Sequence, residues 1–312
     1  VNSLITIILP AGRSAIELSL FVLLPVMVVM LSIMRLAEAW GALDWLVAKL
    51  APVLHPFGLT GLGVFAALQV SFVSFAAPVA TLAMMEQRGT SDRHLAAAFA
   101  MVLAMAQANA MFPMGALGLD VAPVLGISLL GGLVAAAAAH YLSGRTLSSD
   151  EHVMDETLRH PVAENAKGVL DVINRAGAEA FKIAIGAIPM LVLSLTVVTA
   201  LRQGGAIDAL TTALLPALDR LGIAPALILP ILTKYLAGGT AMLGIIDEQV
   251  RTGQLPPAQL NTWAGVLIHP LDLPGVAVLM AAGRRVASVW KPAVLGSLCG
   301  IALRSTLHLA LS

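Results

Sequence analysis

The chain has 312 residues, 58% of them hydrophobic and 12% charged, with a formal net charge of zero and a mean hydropathy of +0.90. That is more apolar surface than a soluble domain could hide, so the sequence reads as a multi-pass membrane protein whose first partner is the lipid bilayer. The zero balance gives no case for nucleic acid, and the single Cys299 excludes a disulfide framework or a thiolate metal cluster within one chain.

The opening VNSLITIILPAGR has no basic segment ahead of its apolar stretch and no small-residue cleavage site, so insertion through the first membrane helix is expected in place of a cleavable signal. Residues 14–34 form an apolar run whose only charge is Glu17, long enough for a first span. Residues 40–55 set Leu43, Leu46, Val47, Leu50 and Leu54 at helical spacing with Asp44 and Lys49 between them. That pattern, with Trp40 and Trp45, suits an amphipathic helix lying along the interface. Residues 57–85 are uncharged for 29 positions, a helix of roughly 43 Å if straight, well beyond a hydrocarbon core of about 30 Å. Its middle, residues 69–74, is its most polar part, and Pro78 follows. This predicts a re-entrant helical hairpin with its tip there. After a polar loop, residues 94–118 read as a span carrying Gln107 and Asn109 and broken at Phe112-Pro113-Met114-Gly115. Residues 121–143 close the unit.

Shifting the sequence by 164 positions superimposes Pro25 on Pro189, Gly41 on Gly205, Asp44 on Asp208, Pro52 on Pro216, Gly58 on Gly222 and Gly89 on Gly253. Matched breakers and caps point to two copies of one unit, residues 1–144 and 176–312, joined by a linker over 145–175. The second copy repeats the pattern. Its hairpin, 222–250, has Lys234 to Thr240 at the tip, its broken span, 258–282, is interrupted at His269 to Gly275, and 287–310 close it, with Lys291 and Arg304 expected near its ends. Three crossings per unit, an odd number, require the second copy to be inverted. With both hairpins folded back, twelve of the eighteen Lys and Arg residues fall on the side of the linker and five on the other. With ordinary crossings the division is ten against seven. The stronger bias favours the inverted arrangement with a cytoplasmic linker. The fold class is therefore an all-α polytopic membrane protein of two inverted repeats, each with spans, an interfacial helix, a re-entrant hairpin and a broken helix.

An ammonium at membrane depth is costly unless it meets a counter-charge or water, so Lys234 should face a cavity, with Asp272 and His269 in the next break as partners. These could bind a solute, carry coupling protons, or only lock hairpin to span. Gln69, Ser71 and Ser74, with Gln107 and Asn109, are uncharged donors and acceptors suited to a polar organic solute, and Tyr235 and Thr240 join them at the second tip. Half-helix N-termini pointing to the same place would favour an anionic group. The 13 methionines read as flexible packing before soft-metal passage, Cys299 as inert packing, and Gly131-Gly132 as a close helix contact. No nucleophile–base arrangement supports an enzyme, and no metal site or resident cofactor is expected.

Leu23-Leu24-Pro25 in the first span, Gly41-x-x-Asp44 in the interfacial helix and the hairpin segment resemble the nucleoside-recognition, or Gate, family, which includes spore maturation proteins A and B and the membrane part of ferrous-iron permeases. The repeated architecture is also similar to the core of concentrative nucleoside transporters. The resemblance implies a solute held between two tips and two breaks, here residues 69–74, 107–113, 234–240 and 269–275, with H+ or Na+ coupling, and a homodimer. The tips carry Gln69 and Lys234 in place of the acidic residues expected of such carriers, and these 312 residues are not expected to include the GTPase domain of the iron permeases. The leading expectation is a secondary transporter moving a small polar solute, anionic or nucleoside-like, by alternating access. The alternatives are a membrane scaffold or signalling protein of the spore-maturation type, and an inorganic or metal ion permease.

Overall fold

The computed structural model describes residues 2–150, 166–206, 209, 212–213 and 224–311. The second interfacial segment, with Asp208 and Pro216, and most of the linker lie outside the described residues. Every regular element among the described residues is helical.

The first rod is longer than the apolar run that announced it. It comprises α1 (Asn2–Glu17), a π-helical stretch (Leu18–Leu23) and α2 (Leu24–Ala39). Pro25 lacks the N–H that would bond four residues back, which is the local reason for wider winding just before it. Ser19 donates from this stretch to the Ala184 carbonyl at 2.5 Å, tying the rod to the other long helix, α9 (Val169–Gln203). The interfacial helix α3 (Ala42–Leu54) is amphipathic as predicted: Leu43, Val47 and Leu54 are buried, while Trp40 and Trp45 are 70% and 64% exposed. It meets α4 (Gly61–Phe72) at 104°.

The first hairpin pairs α4 with α5 (Pro78–Gln87), and Thr81 donates across it to Gln69 at 2.7 Å. Its tip is Val73 to Ala77. Gln69 and Ser71, expected at the tip, lie within the last turns of α4, because an amide that can lace two helix arms need not interrupt either. The first broken span is α6 (Asp92–Ala104) and α7 (Ala108–Gly115). The break falls at Met105 to Gln107 and not at Pro113, which sits inside α7. One proline near the end of a short helix costs a single backbone bond. The true break has partners elsewhere, described below. The closing helix α8 (Val121–Ala137) runs on as a π-helix to Ser143.

In the second half, α10 (Ile228–Ala237) and α11 (Gly239–Arg251) form a pair joined at Gly238, whose φ of +92° favours glycine. The second broken span is α12 (Pro257–Leu267) and α13 (Leu273–Met280), interrupted over residues 268–272, so the break covers the first part of the expected 269–275 while Pro274 and Gly275 lie in the first turn of α13, where a proline N–H is not needed. A short α14 (Arg284–Ser288) precedes α15 (Trp290–Leu311). Among the described residues, five helices are long and apolar enough to cross a membrane, or six with the bent α3–α4 pair counted as one. The chain is a multi-pass membrane protein.

The core sits around α6, where Leu95 to Ala104 are all buried against the first hairpin, α8 and α15. Helices α8 and α15 cross closely: a Cβ on Gly300 would stand 2.2 Å from the Gly131 carbonyl oxygen, and one on Gly296 2.7 Å from that of Ala135. Arg304, expected near an end of the closing span, lies seven residues before the last residue of α15. It is fully buried within α15. Cys299 is not a packing residue either, since it is exposed beside Leu295 and Leu298.

Candidate functional site

Four short helices start from one place. α5 begins after the first tip, α11 at Gly238, α7 at Gln107 and α13 at Asp272, and residues at all four starts line a cavity of about 320 Å³. Leu23 and Met27, flanking Pro25, and Gly186 and Leu191, flanking Pro189, supply an apolar wall from the two long helices. A helix N-terminus leaves backbone N–H groups unpaired and carries positive partial charge, so the cavity collects four such ends.

Asn109 links the two tips. Its side-chain carbonyl accepts the Phe75 N–H at 3.3 Å and its amide donates to the Thr240 hydroxyl at 3.1 Å. One residue in the first turn of α7 thus holds a backbone group of the first hairpin and a side chain of the second. Gln107, next to it, is buried with its amide nitrogen unpartnered among the described residues. That nitrogen lies where a Cβ on Gly239 would come within 2.0 Å, so glycine is needed there for the amide to lie on the second tip. Ser74, also buried, completes the polar lining on the first side.

The second side is charged. Asp272 caps α13, accepting the Gly275 N–H at 2.7 Å, and its other oxygen is 3.7 Å from Lys234 Nζ. Lys234 Nζ also donates to the Leu271 carbonyl at 2.7 Å, meets His269 Nδ1 at 2.9 Å, and lies 4.1 Å from the Tyr235 ring centroid. The Leu271 N–H points at the same Nδ1 at 3.1 Å, so that nitrogen is an acceptor, and His269 is the neutral Nε2–H tautomer with Lys234 donating to it. The fully buried ammonium is therefore enclosed by a carboxylate, a carbonyl, an imidazole and an aromatic face.

Of the ten residues that the sequence singles out, Ser74, Gln107, Asn109, Thr240 and Asp272 line the cavity. Gln69, Ser71, Lys234, Tyr235 and His269 stand behind it: Gln69 laces the hairpin, Ser71 is buried without a partner among the described residues, and the other three support Asp272 or the charge beside it. Sequence reasoning missed two residues that hold the breaks. Ser128 accepts the Ala106 N–H at 2.6 Å, and Arg304 donates to the Ile268 carbonyl at 2.9 Å and to the Ala104 carbonyl. The signal for Arg304 was present, because an arginine in a long apolar helix calls for the same reasoning as Lys234.

Residues 20–128 match the Gate family, described as nucleoside recognition. No sequence among the curated proteins matches the chain. Among solved structures, the chain is similar to the concentrative nucleoside transporter CNTnw in an inward-facing substrate-bound state, with a TM-score of 0.67 and 17% identity over 93% of this chain and 75% of that one. A doubly substituted CNTnw in an outward-facing state gives 0.66 and 18% over 93% and 76%, and a variant in an intermediate state 0.66 and 16% over 100% and 85%. Residues 20–128 are thus similar to the Gate family, and the chain as a whole has the fold seen in the concentrative nucleoside transporter structures.

Proposed function

We propose that the chain is a secondary transporter of the bacterial inner membrane that moves a small polar, nucleoside-like solute by alternating access, with the solute bound in the cavity between the two tips and the two breaks. The observation that carries this reading is the shared lining: Ser74, Gln107, Thr240 and Asp272 come from four different elements and meet around one space. Its size lies within the range of small-molecule sites, and its mixture of apolar wall and few polar groups is what such sites use. The Gln107 amide donates to an acceptor on the solute, Asp272 accepts from a donor, and Leu23, Met27 and Leu191 cover an apolar face. Because the Lys234 ammonium is already enclosed, an uncharged nucleoside or nucleobase suits the site better than an anion. The resemblance to structures of one fold in outward, inward and intermediate states supports the alternating-access part.

The domain division goes with it: two Gate-like units over residues 1–144 and 176–312 move around the shared site, tethered by residues 145–175. Of the coupling ions under consideration, a proton has a carrier in the cavity wall, Asp272. The test is uptake of radiolabelled uridine, adenosine and nucleobases by proteoliposomes. Saturable uptake that is lost in Asn109→Leu supports the reading. A folded protein that neither binds nor moves any of these solutes contradicts it and favours the non-transporting membrane scaffold.

A further inference from the structure

Arg304 is the largest fully buried side chain among the described residues, and no solute-lining role accounts for it. It is on α15, outside both hairpins and both broken spans. Its two terminal nitrogens donate to two carbonyls, that of Ala104 at the end of α6 and that of Ile268 just after α12. These residues are superimposed by the 164-residue offset that relates the two halves, so one guanidinium joins the same backbone position of both copies. Each carbonyl sits at the C-terminal end of a half-helix, where orphan acceptors and negative partial charge concentrate. Gly131 makes room for this side chain, since a Cβ there would be 2.2 Å from Arg304 Cγ, and Gly265 lets α12 approach the α15 backbone, where a Cβ would stand 2.6 Å from the Ser305 nitrogen.

Half-helix C-terminal ends and unwound carbonyls in membrane transporters are natural ligands for an alkali cation. We propose that Arg304 is a built-in cation for the two breaks: it occupies the carbonyl ends that a sodium ion would otherwise coordinate, fixes the breaks relative to each other, and makes solute binding independent of sodium. The solute clause rests on the transporter reading above, whereas the occupancy of the carbonyls by Arg304 does not. A guanidinium suits this position because it is permanently charged and directs its donors at fixed angles to two acceptors at once. Arg304 is then a positioning residue, acting on the cavity through Ala104 and Ile268 and not by touching the solute.

The experiment needs no solute. Purified protein is melted in sodium chloride and in N-methyl-D-glucamine chloride at equal ionic strength, for the wild type, Arg304→Gln and Arg304→Lys. The wild type should melt at the same temperature in both salts. Arg304→Gln should lose about 5 °C or more, as expected for losing two charge-assisted bonds, and regain part of that loss selectively in sodium, whose ion can enter the freed carbonyls. Arg304→Lys, which keeps a cation but not the fork, should be destabilised without sodium selectivity. A sodium-selective rise in the wild type overturns the proposal, and so does a loss in Arg304→Gln that sodium does not repair, which would leave Arg304 a packing residue. If Arg304→Gln does not fold, Arg304→Lys and the wild type decide, and a sodium-selective shift in either is contradictory. Because melting is read without solute, failure of the transporter reading leaves this result interpretable.

Discussion

The first and second breaks, over residues 105–107 and 268–272, face one cavity with contrasting chemistry. In the first, neutral side chains do the work: Asn109 spans the two tips, Gln107 lies on the second tip, and Ser128 takes the freed Ala106 N–H. In the second, a carboxylate, an ammonium and an imidazole are collected at 2.7–3.7 Å contacts around Leu271 and Asp272. The offset that aligns the halves puts Val70 opposite Lys234, and both are buried, so one position is apolar in one copy and cationic in the other. The cavity thus has a neutral side, which on the proposed reading meets the solute's polar edge, and a charged side that positions one carboxylate in the cavity wall.

The largest expected effect comes from unbalancing the charged side. Lys234→Met leaves Asp272 without its counter-charge, and Asp272→Asn leaves a buried ammonium. Each single change should cost about 3–5 kcal/mol in an unfolding titration, and the double variant should recover most of it. Equal losses that simply add would break the idea that the two residues are a pair.

Asn109→Leu comes next. It removes the tie between the tips, with an expected stability loss of about 1–3 kcal/mol and solute binding weakened about tenfold or more, measured by ligand-induced thermal shift. Unchanged binding would show that the neutral side does not set the site. A smaller effect should follow Gly239→Ala, whose new methyl displaces the Gln107 amide. Melting curves should show a loss of about 1–2 kcal/mol that Gln107→Ala in the same chain partly relieves, and additivity of the two changes would argue against their contact. The smallest is Thr81→Val, which cuts only the lacing of the first hairpin to Gln69, for about 1 kcal/mol with solute affinity kept within about twofold.

What the sequence made legible was set by residue type. The uncharged run over 57–85 and the glycines and prolines of the second break mark their elements locally, and the structure has a helical pair and a break at those places. The first break was misplaced because it contains neither glycine nor proline. It exists because Ser128 and Arg304, distant in sequence, satisfy the backbone groups that the interruption frees. The charge of Arg304 predicts a place at a helix end, yet two carbonyls and the space left by Gly131 make a home for it inside. Polarity alone also moved the first tip too early: Gln69 and Ser71 are inside α4, and the tip proper, with Phe75, Ala76 and Ala77, is largely apolar. Which polar residues face the cavity and which stand behind it depends on helix rotation at the breaks, a tertiary property that spacing in the sequence did not fix.

The most direct test of the central claim, that the solute lies between the tips and the breaks, is protection of a reporter thiol in that space. In a Cys299→Ser background, which removes the exposed native cysteine, Ser74→Cys places a thiol on the cavity wall and Ser71→Cys places one behind it. N-ethylmaleimide labelling is then timed with and without uridine or adenosine. The account predicts that a nucleoside slows labelling of Ser74→Cys in proportion to its occupancy and leaves Ser71→Cys unchanged. Equal labelling of Ser74→Cys with and without a nucleoside that binds the protein would place the solute elsewhere and contradict the account.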